Sequence, residues 1–232
     1  MKATLGVPSS YVVTYHDPSA VASEAYRVLR TNLQFMGLDE PLKSVLVTSS
    51  TPAEGKSTTA ANLAVSFAQA GHSVCLVDAD LRRPTIAKIF RVENWLGLTT
   101  ALIGQGGLDA CLRPGCVDGL TLLTSGPVPP NPSELLGSAR MVSLLATLEE
   151  RFDMVIIDTP PVLAVTDAAV LGPKVGGVLM VVRSGGVDHK QAQRAKASLE
   201  AVKARMLGVV LSAVQTEGKD GYYYYYKQDE KH

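Results

Sequence analysis

Short runs of Val, Ile and Leu recur along the chain, separated by stretches whose apolar residues repeat at helical spacing. Val45-Leu46-Val47 reads as a buried strand, as do Val74–Val77, Leu120–Leu123, Met154–Ile157, Val178–Val182 and Val209–Leu211. The helical patterns between and before them cover Val21–Phe35, Lys56–Ala70, Ser133–Glu150, Asp167–Leu171 and Asp188–Ala204. Gly71 stands where a glycine ends a helix. Strands that are apolar throughout, rather than alternating, are covered on both faces, and helices between them act as crossovers. The pattern predicts a single α/β domain, doubly wound on a mainly parallel sheet, with ligands at the carboxyl ends of the strands. Residues 1–20 read as an N-terminal arm, 21–216 as the domain and 217–232 as a polar tail.

Composition narrows the function. At 232 residues and 46% hydrophobic content, one domain can bury a substantial core. The 22 Lys and Arg balance 22 Asp and Glu, so no bulk charge draws the chain to nucleic acid, and none is expected as a partner. The three cysteines, Cys75, Cys111 and Cys116, form no Cys-x-x-Cys pair, which suits a reducing cytoplasm and no cysteine-held metal. No apolar run approaches the roughly 18 residues of a membrane span. No signal-peptide pattern opens the chain. A membrane role is therefore expected to come through a partner or through further sequence.

The chemistry concentrates at three places. Ser50-Thr51-Pro52-Ala53-Glu54-Gly55-Lys56-Ser57-Thr58 joins an expected strand to an expected helix, the setting of a phosphate-binding loop. Backbone N–H groups from Thr51 to Thr58 and the positive helix end would surround phosphate oxygens. Lys56 would reach the β- and γ-phosphates, and Ser57 would hold Mg²⁺. Ser50 replaces the first glycine of the usual Gly-x-x-x-x-Gly-Lys-Ser/Thr pattern. Asp78 and Asp80 end one strand and Asp158 ends another, so all three face the phosphate crevice. Asp158 is the expected water-linked Mg²⁺ partner. Asp78 and Asp80, two residues apart on an extended chain, point the same way and can divide metal and proton duties. Finally, Tyr222, Tyr223, Tyr224, Tyr225 and Tyr226 run together in the tail. Five adjacent aromatics cannot share one face of a helix or strand, so they form either an apolar docking patch or a set of phosphate acceptors.

Together these residues resemble the bacterial tyrosine kinases (BY-kinases) that accompany capsule and exopolysaccharide export. The resemblance rests on Pro52-x-x-Gly55-Lys56-Ser57 with Asn62, Asp78-x-Asp80-x-Arg82, Asp158-x-x-Pro161, the segment Pro129–Leu136 and the tyrosine cluster. It implies ATP and Mg²⁺ as cofactors and autophosphorylation of the tail tyrosines by a neighbouring subunit. It assigns Asp78 as base, with Asp80 and Asp158 around the metal. Glu24-x-x-Arg27-x-x-Arg30 matches a family motif for subunit contact in a ring, and its i, i+3, i+6 spacing could make one stripe. The family's partners are a transmembrane polysaccharide co-polymerase modulator, separate or fused, and a cognate tyrosine phosphatase. The kinase is then cytoplasmic and recruited to the inner face of the plasma membrane. Leu5-Gly6-Val7-Pro8 resembles the end of such a modulator, so residues 1 to about 15 read as its linker or as an ordinary arm. Two alternatives keep the fold: a partitioning or cell-division ATPase, whose signature lysine is here Thr51, and a non-catalytic nucleotide-driven scaffold.

Overall fold

The computed structural model describes residues 7–37, 41–186 and 188–214. The tyrosines Tyr222–Tyr226 and residues Leu5 and Gly6 lie outside the described residues. In chain order the elements are α1 (Val13–His16), α2 (Val21–Met36), β1 (Ser44–Ser49), α3 (Lys56–Gln69), β2 (Val74–Asp78), α4 (Ile86–Phe90), α5 (Leu98–Ile103) and α6 (Leu108–Cys111). Then come β3 (Leu112–Pro114), β4 (Leu120–Leu123), α7 (Pro132–Gly137), α8 (Ala139–Arg151), β5 (Met154–Asp158), α9 (Asp167–Leu171), β6 (Gly177–Arg183), α10 (His189–Ala201) and β7 (Met206–Ser212).

The strands form one seven-stranded sheet in the order β3-β4-β2-β5-β1-β6-β7. Every pairing is parallel except β3 with β4 at one edge. Strands β1, β2 and β5 are buried at every position, as their unbroken apolar runs require. Their pleat sends successive side chains into opposite cores. Val45, Val47, Leu76 and Ile156 pack with Leu63 and Phe67 of α3, whereas Leu46, Val77 and Ile157 pack with Leu145 and Leu148 of α8, Leu171 and Leu199. Each fully buried aliphatic side chain contributes roughly 1.5–3 kcal/mol, so the two layers hold the central strands firmly. The fold is the doubly wound one expected, and the carboxyl ends of β1, β2 and β5 meet at its middle.

Three local expectations need correction. The helix expected over Ser133–Glu150 is two helices, because Ser138 adopts an extended backbone (φ −66°, ψ 157°). Its hydroxyl accepts the Met141 N–H, which caps α8 (3.2 Å). The helix expected to reach Ala204 stops at Ala201, and Lys203 takes a left-handed φ of 60° to turn the chain into β7. Strand β7 starts earlier than expected, at Met206, and Val209 and Leu211 are exposed on this edge strand.

Residues 7–20 dock on the domain. Val12 is buried in the α3 core. The Asn62 side chain accepts from the Thr14 N–H and hydroxyl (3.0 Å each) and donates to the carbonyls of Tyr11 and Thr58 (2.8 Å each). Asn62→Ala strands these buried partners, and each unsatisfied group costs about 1–3 kcal/mol. We expect a stability loss of about 2–4 kcal/mol in urea denaturation; a loss below about 1 kcal/mol would show that the arm is not fastened here.

Candidate active site

The loop after β1 is shaped by its own side chains. The Ser50 hydroxyl donates to both Glu54 carboxylate oxygens (2.9 and 2.8 Å), and Glu54 also accepts the Thr51 N–H (2.7 Å). Serine at the first-glycine position is therefore a strap across the loop. From the other side, Ser212 at the end of β7 donates to the Glu54 carbonyl (2.6 Å). Gly55 has φ 89°, and a Cβ there would lie 3.4 Å from the Ser212 hydroxyl, so both conformation and space call for glycine. The loop ends by presenting Lys56, Ser57 and Thr58 in the first turn of α3.

The Lys56 ammonium lies 2.9 Å from Asp80 Oδ2, 3.4 Å from Asp158 Oδ1 and 3.0 Å from Ser57 Oγ. Asp78 and Asp158 are register partners on adjacent parallel strands. Burial pushes the Asp78 carboxyl up to about 7, helped by the charge of Asp158. Burial also raises Asp158, opposed by Lys56 and Ser57. Burial alone would depress Lys56, but Asp158, Asp80 and Asp78 outweigh it and hold the ammonium above its ordinary value.

Asp78 and Asp80 have different partners. One Asp78 oxygen accepts the Asp80 N–H (3.2 Å) and the other the N–H groups of Thr85 and Ile86 (3.0 Å each). Asp78 thus ties β2 to the start of α4, fully buried, while Asp80 lines the cavity above it. That cavity, of about 660 Å³, is bounded by Pro52, Lys56, Ser57, Asp80, Arg82 and Pro161. A second of about 620 Å³ flanks the loop on the side of Thr58, Arg183 and Ser212.

Arg82 pairs with a different acid from Lys56. Its Nε and Nη2 donate to the buried Asp167 (3.0 and 3.1 Å) and Nη2 also to Ser133 (2.9 Å), whose hydroxyl donates to Asp167 (2.5 Å). The segment Pro129–Leu136 is so pinned to the strand carrying Asp80. Nothing around Asp167 in the sequence singles it out, since an acid in a first helical turn ordinarily serves the helix dipole.

The Glu24, Arg27 and Arg30 set is divided. Arg27 pairs with Glu24 (2.6 Å) and donates to the Pro18 carbonyl (2.9 Å), whereas Arg30 reaches across to the Ser66 carbonyl of α3 (2.7 Å).

A divalent cation fits the donor set. Hydroxyl and carboxylate oxygens of Ser57, Asp80 and Asp158 already converge on one cationic nitrogen, and these hard oxygen donors suit Mg²⁺ with phosphate oxygens and water completing its shell.

A family model described as ParA, NUBPL iron-transfer P-loop NTPase, matches residues 42–230. Fold and loop thus define a P-loop NTPase of the ParA class. Iron handling needs accessible thiolates, whereas Cys75, Cys111 and Cys116 are all buried. The chain is 44% identical over 218 residues to tyrosine-protein kinase YwqD of Bacillus subtilis, covering 94% of this chain and 92% of that protein. It is 35% identical to tyrosine-protein kinase wzc of Salmonella typhimurium, covering 96% of this chain and 32% of wzc. The kinase domain of Escherichia coli tyrosine kinase ETK superposes with a TM-score of 0.84 at 36% identity, over 96% of this chain and 88% of that one. The chain belongs to the bacterial tyrosine-protein kinases.

Asp78 makes stability depend on pH. Its folded value of about 7 lies above that of an unfolded aspartate, so between the two the folded chain holds the extra proton. Stability from this group is complete below the unfolded value and is lost as pH rises through about 7. Urea denaturation of the nucleotide-free chain at pH 5 and pH 8 should show this fall in the difference between wild type and Asp78→Asn. A difference that does not change with pH would refute it.

Proposed function

We propose that the chain is an ATP-dependent tyrosine autokinase that phosphorylates Tyr222–Tyr226 of a neighbouring subunit in the production of capsular or other exported polysaccharide. One observation carries the reading: a P-loop lysine sits among two strand-end aspartates at the mouth of a cavity open to an incoming chain. Backbone N–H groups of Thr51–Thr58 cradle the phosphates, with the nucleoside toward Thr58 and Ser212. Lys56 exchanges its carboxylate partners for the β- and γ-phosphates. Ser57, Asp80 and Asp158 would hold Mg²⁺, which would supply positive charge against the phosphate oxygens.

The tyrosine oxygen forms the bond to the γ-phosphorus as the bond to the bridging oxygen of ADP breaks. The phenol proton passes to Asp78, whose basicity burial has raised toward neutrality. Because Asp78 is bonded to Thr85 and Ile86, the turn between β2 and α4 has to yield as the acceptor enters. Thr51 at the position of the partitioning ATPases' second lysine speaks against the cell-division reading.

Incubation with Mg·ATP should place phosphate on Tyr222–Tyr226 by peptide mass spectrometry, and Lys56→Met or Asp78→Asn should leave the tail unmodified. Phosphate on serine alone, or nowhere even with an added modulator fragment, would leave the scaffold reading in its place.

Assembly is the second half of the proposal. Glu24, Arg27 and Arg30 meet the next subunit of a ring, which a transmembrane co-polymerase modulator recruits to the inner face of the plasma membrane. Each phosphotyrosine adds about −1.5 to −2 charges, so a tail phosphorylated on several adjacent tyrosines leaves its neighbour, the ring opens, and a phosphatase resets it. Light scattering of Glu24→Ala/Arg27→Ala should report monomer where wild type assembles. Because Arg30 also braces α3, this pair tests the contact without disturbing that bond. An unchanged assembly would sink the ring contact.

A further inference from the structure

Beside the catalytic cavity lies a depression of about 840 Å³ lined by Arg82, Arg83, Thr85, Lys88, Arg91 and Asn94. The two share Arg82, Arg83 and Thr85, so they form one continuous trench. All four cations are exposed. Asp167 neutralises Arg82, whereas among the described residues no ion pair engages Arg83, Lys88 or Arg91. The only acid between residues 81 and 95 is Glu93. The trench floor includes α4, whose first turn is bonded to Asp78 at the end of β2, so Lys88 and Arg91 sit on the element next to the proposed base. Trp95, the chain's single tryptophan, follows Asn94 and is 74% exposed.

We propose that this trench binds phosphotyrosine on a neighbour's tail that has already been phosphorylated, so that each phosphate placed steers the next tyrosine into the catalytic cavity. The inference rests on the autokinase reading above. Before modification the tail gives these cations little to hold, because Glu217, Asp220, Asp229 and Glu230 are nearly balanced by Lys219, Lys227 and Lys231. A phosphotyrosine adds about −1.5 to −2 charges and three acceptor oxygens that arginine grips with two parallel donors. Consecutive residues of an extended chain are only about 3.3–3.6 Å apart, so phosphorylated neighbours of a reacting tyrosine fall within the same trench. Three unpaired cations offset about two phosphotyrosines at −1.5 to −2 each. The first phosphates therefore retain the tail, and later ones repel it.

The test uses the full chain with Lys88→Gln/Arg91→Gln, which leaves every group assigned to nucleotide or proton transfer in place. Intact-mass time courses with Mg·ATP should show the first phosphate appearing at the wild-type rate. Forms with two or more phosphates should fall at least fivefold. An unchanged phosphate ladder overturns the proposal. As a direct measurement, a synthetic peptide of residues 217–232 phosphorylated at Tyr224 is titrated against a full chain with Tyr222–Tyr226 all changed to Phe, read by Trp95 fluorescence. It should bind at least tenfold tighter than the unphosphorylated peptide, and the gain should vanish with Lys88→Gln/Arg91→Gln. Equal binding of both peptides, or of one with glutamates in place of the tyrosines, overturns the phosphotyrosine assignment. A wild-type chain that places no phosphate on its tail would fail the autokinase reading itself, and this one with it.

Discussion

The site depends on one lysine set among carboxylates. Parallel pairing of β2 with β5 places Asp78 beside Asp158, and Asp80 follows two residues on. Two unit charges about 4 Å apart interact by about 4 kcal/mol at an effective dielectric constant of 20, a large fraction of the roughly 5–15 kcal/mol that holds a domain folded. Lys56 relieves this repulsion, and Asp78 relieves more of it by holding its proton to about 7. The same carboxylate oxygens are hard donors of the kind that suits a divalent cation.

The rest of the fold fixes that geometry from several directions. The Ser50–Glu54 strap and the Ser212 bond set the loop's path, so β1 and β7 both determine where Lys56 begins. Asp78 binds α4 to the strand end, and Arg82 binds α7 and α9 through Ser133 and Asp167. The Ser212–Glu54, Arg82–Ser133 and Ser133–Asp167 bonds join residues far apart in the chain, whereas the Ser50–Glu54 and Asp78–Ile86 bonds close local turns. The turn between β2 and α4 is therefore tied directly to the position of Asp78.

Much of this was legible in the sequence because the central strands are buried on both faces. Val45-Leu46-Val47 and Met154–Ile157 have no polar residue to confuse their reading, and Gly55-Lys56-Ser57 falls where strand gives way to helix. Ser138 was not legible, since the apolar residues Leu135, Leu136, Met141 and Leu145 flank a break that only backbone angles reveal. Nor was the parting of Asp78 from Asp80. Spacing describes an extended chain, but the N–H groups that hold Asp78 come from a turn seven and eight residues later. Nor was the bond of Arg30: its helical spacing aligns it with Arg27, while its side chain reaches the Ser66 carbonyl of another helix.

Charge balance across the whole chain conceals how sharply the charges are sorted. Formal charges cancel overall, yet the strand ends gather buried acids and the adjoining turn and α4 gather exposed bases. An anionic phosphate entering the catalytic cavity thus passes a basic border before it meets Lys56, and the buried acids stay shielded behind that lysine. In the proposed reaction, a tail that carries phosphate meets the same border as the nucleotide, so donor and product are read by one kind of charge. On that proposal the tyrosine run and the basic turn are two parts of one device, in which the reaction changes the affinity of the segment on which it acts.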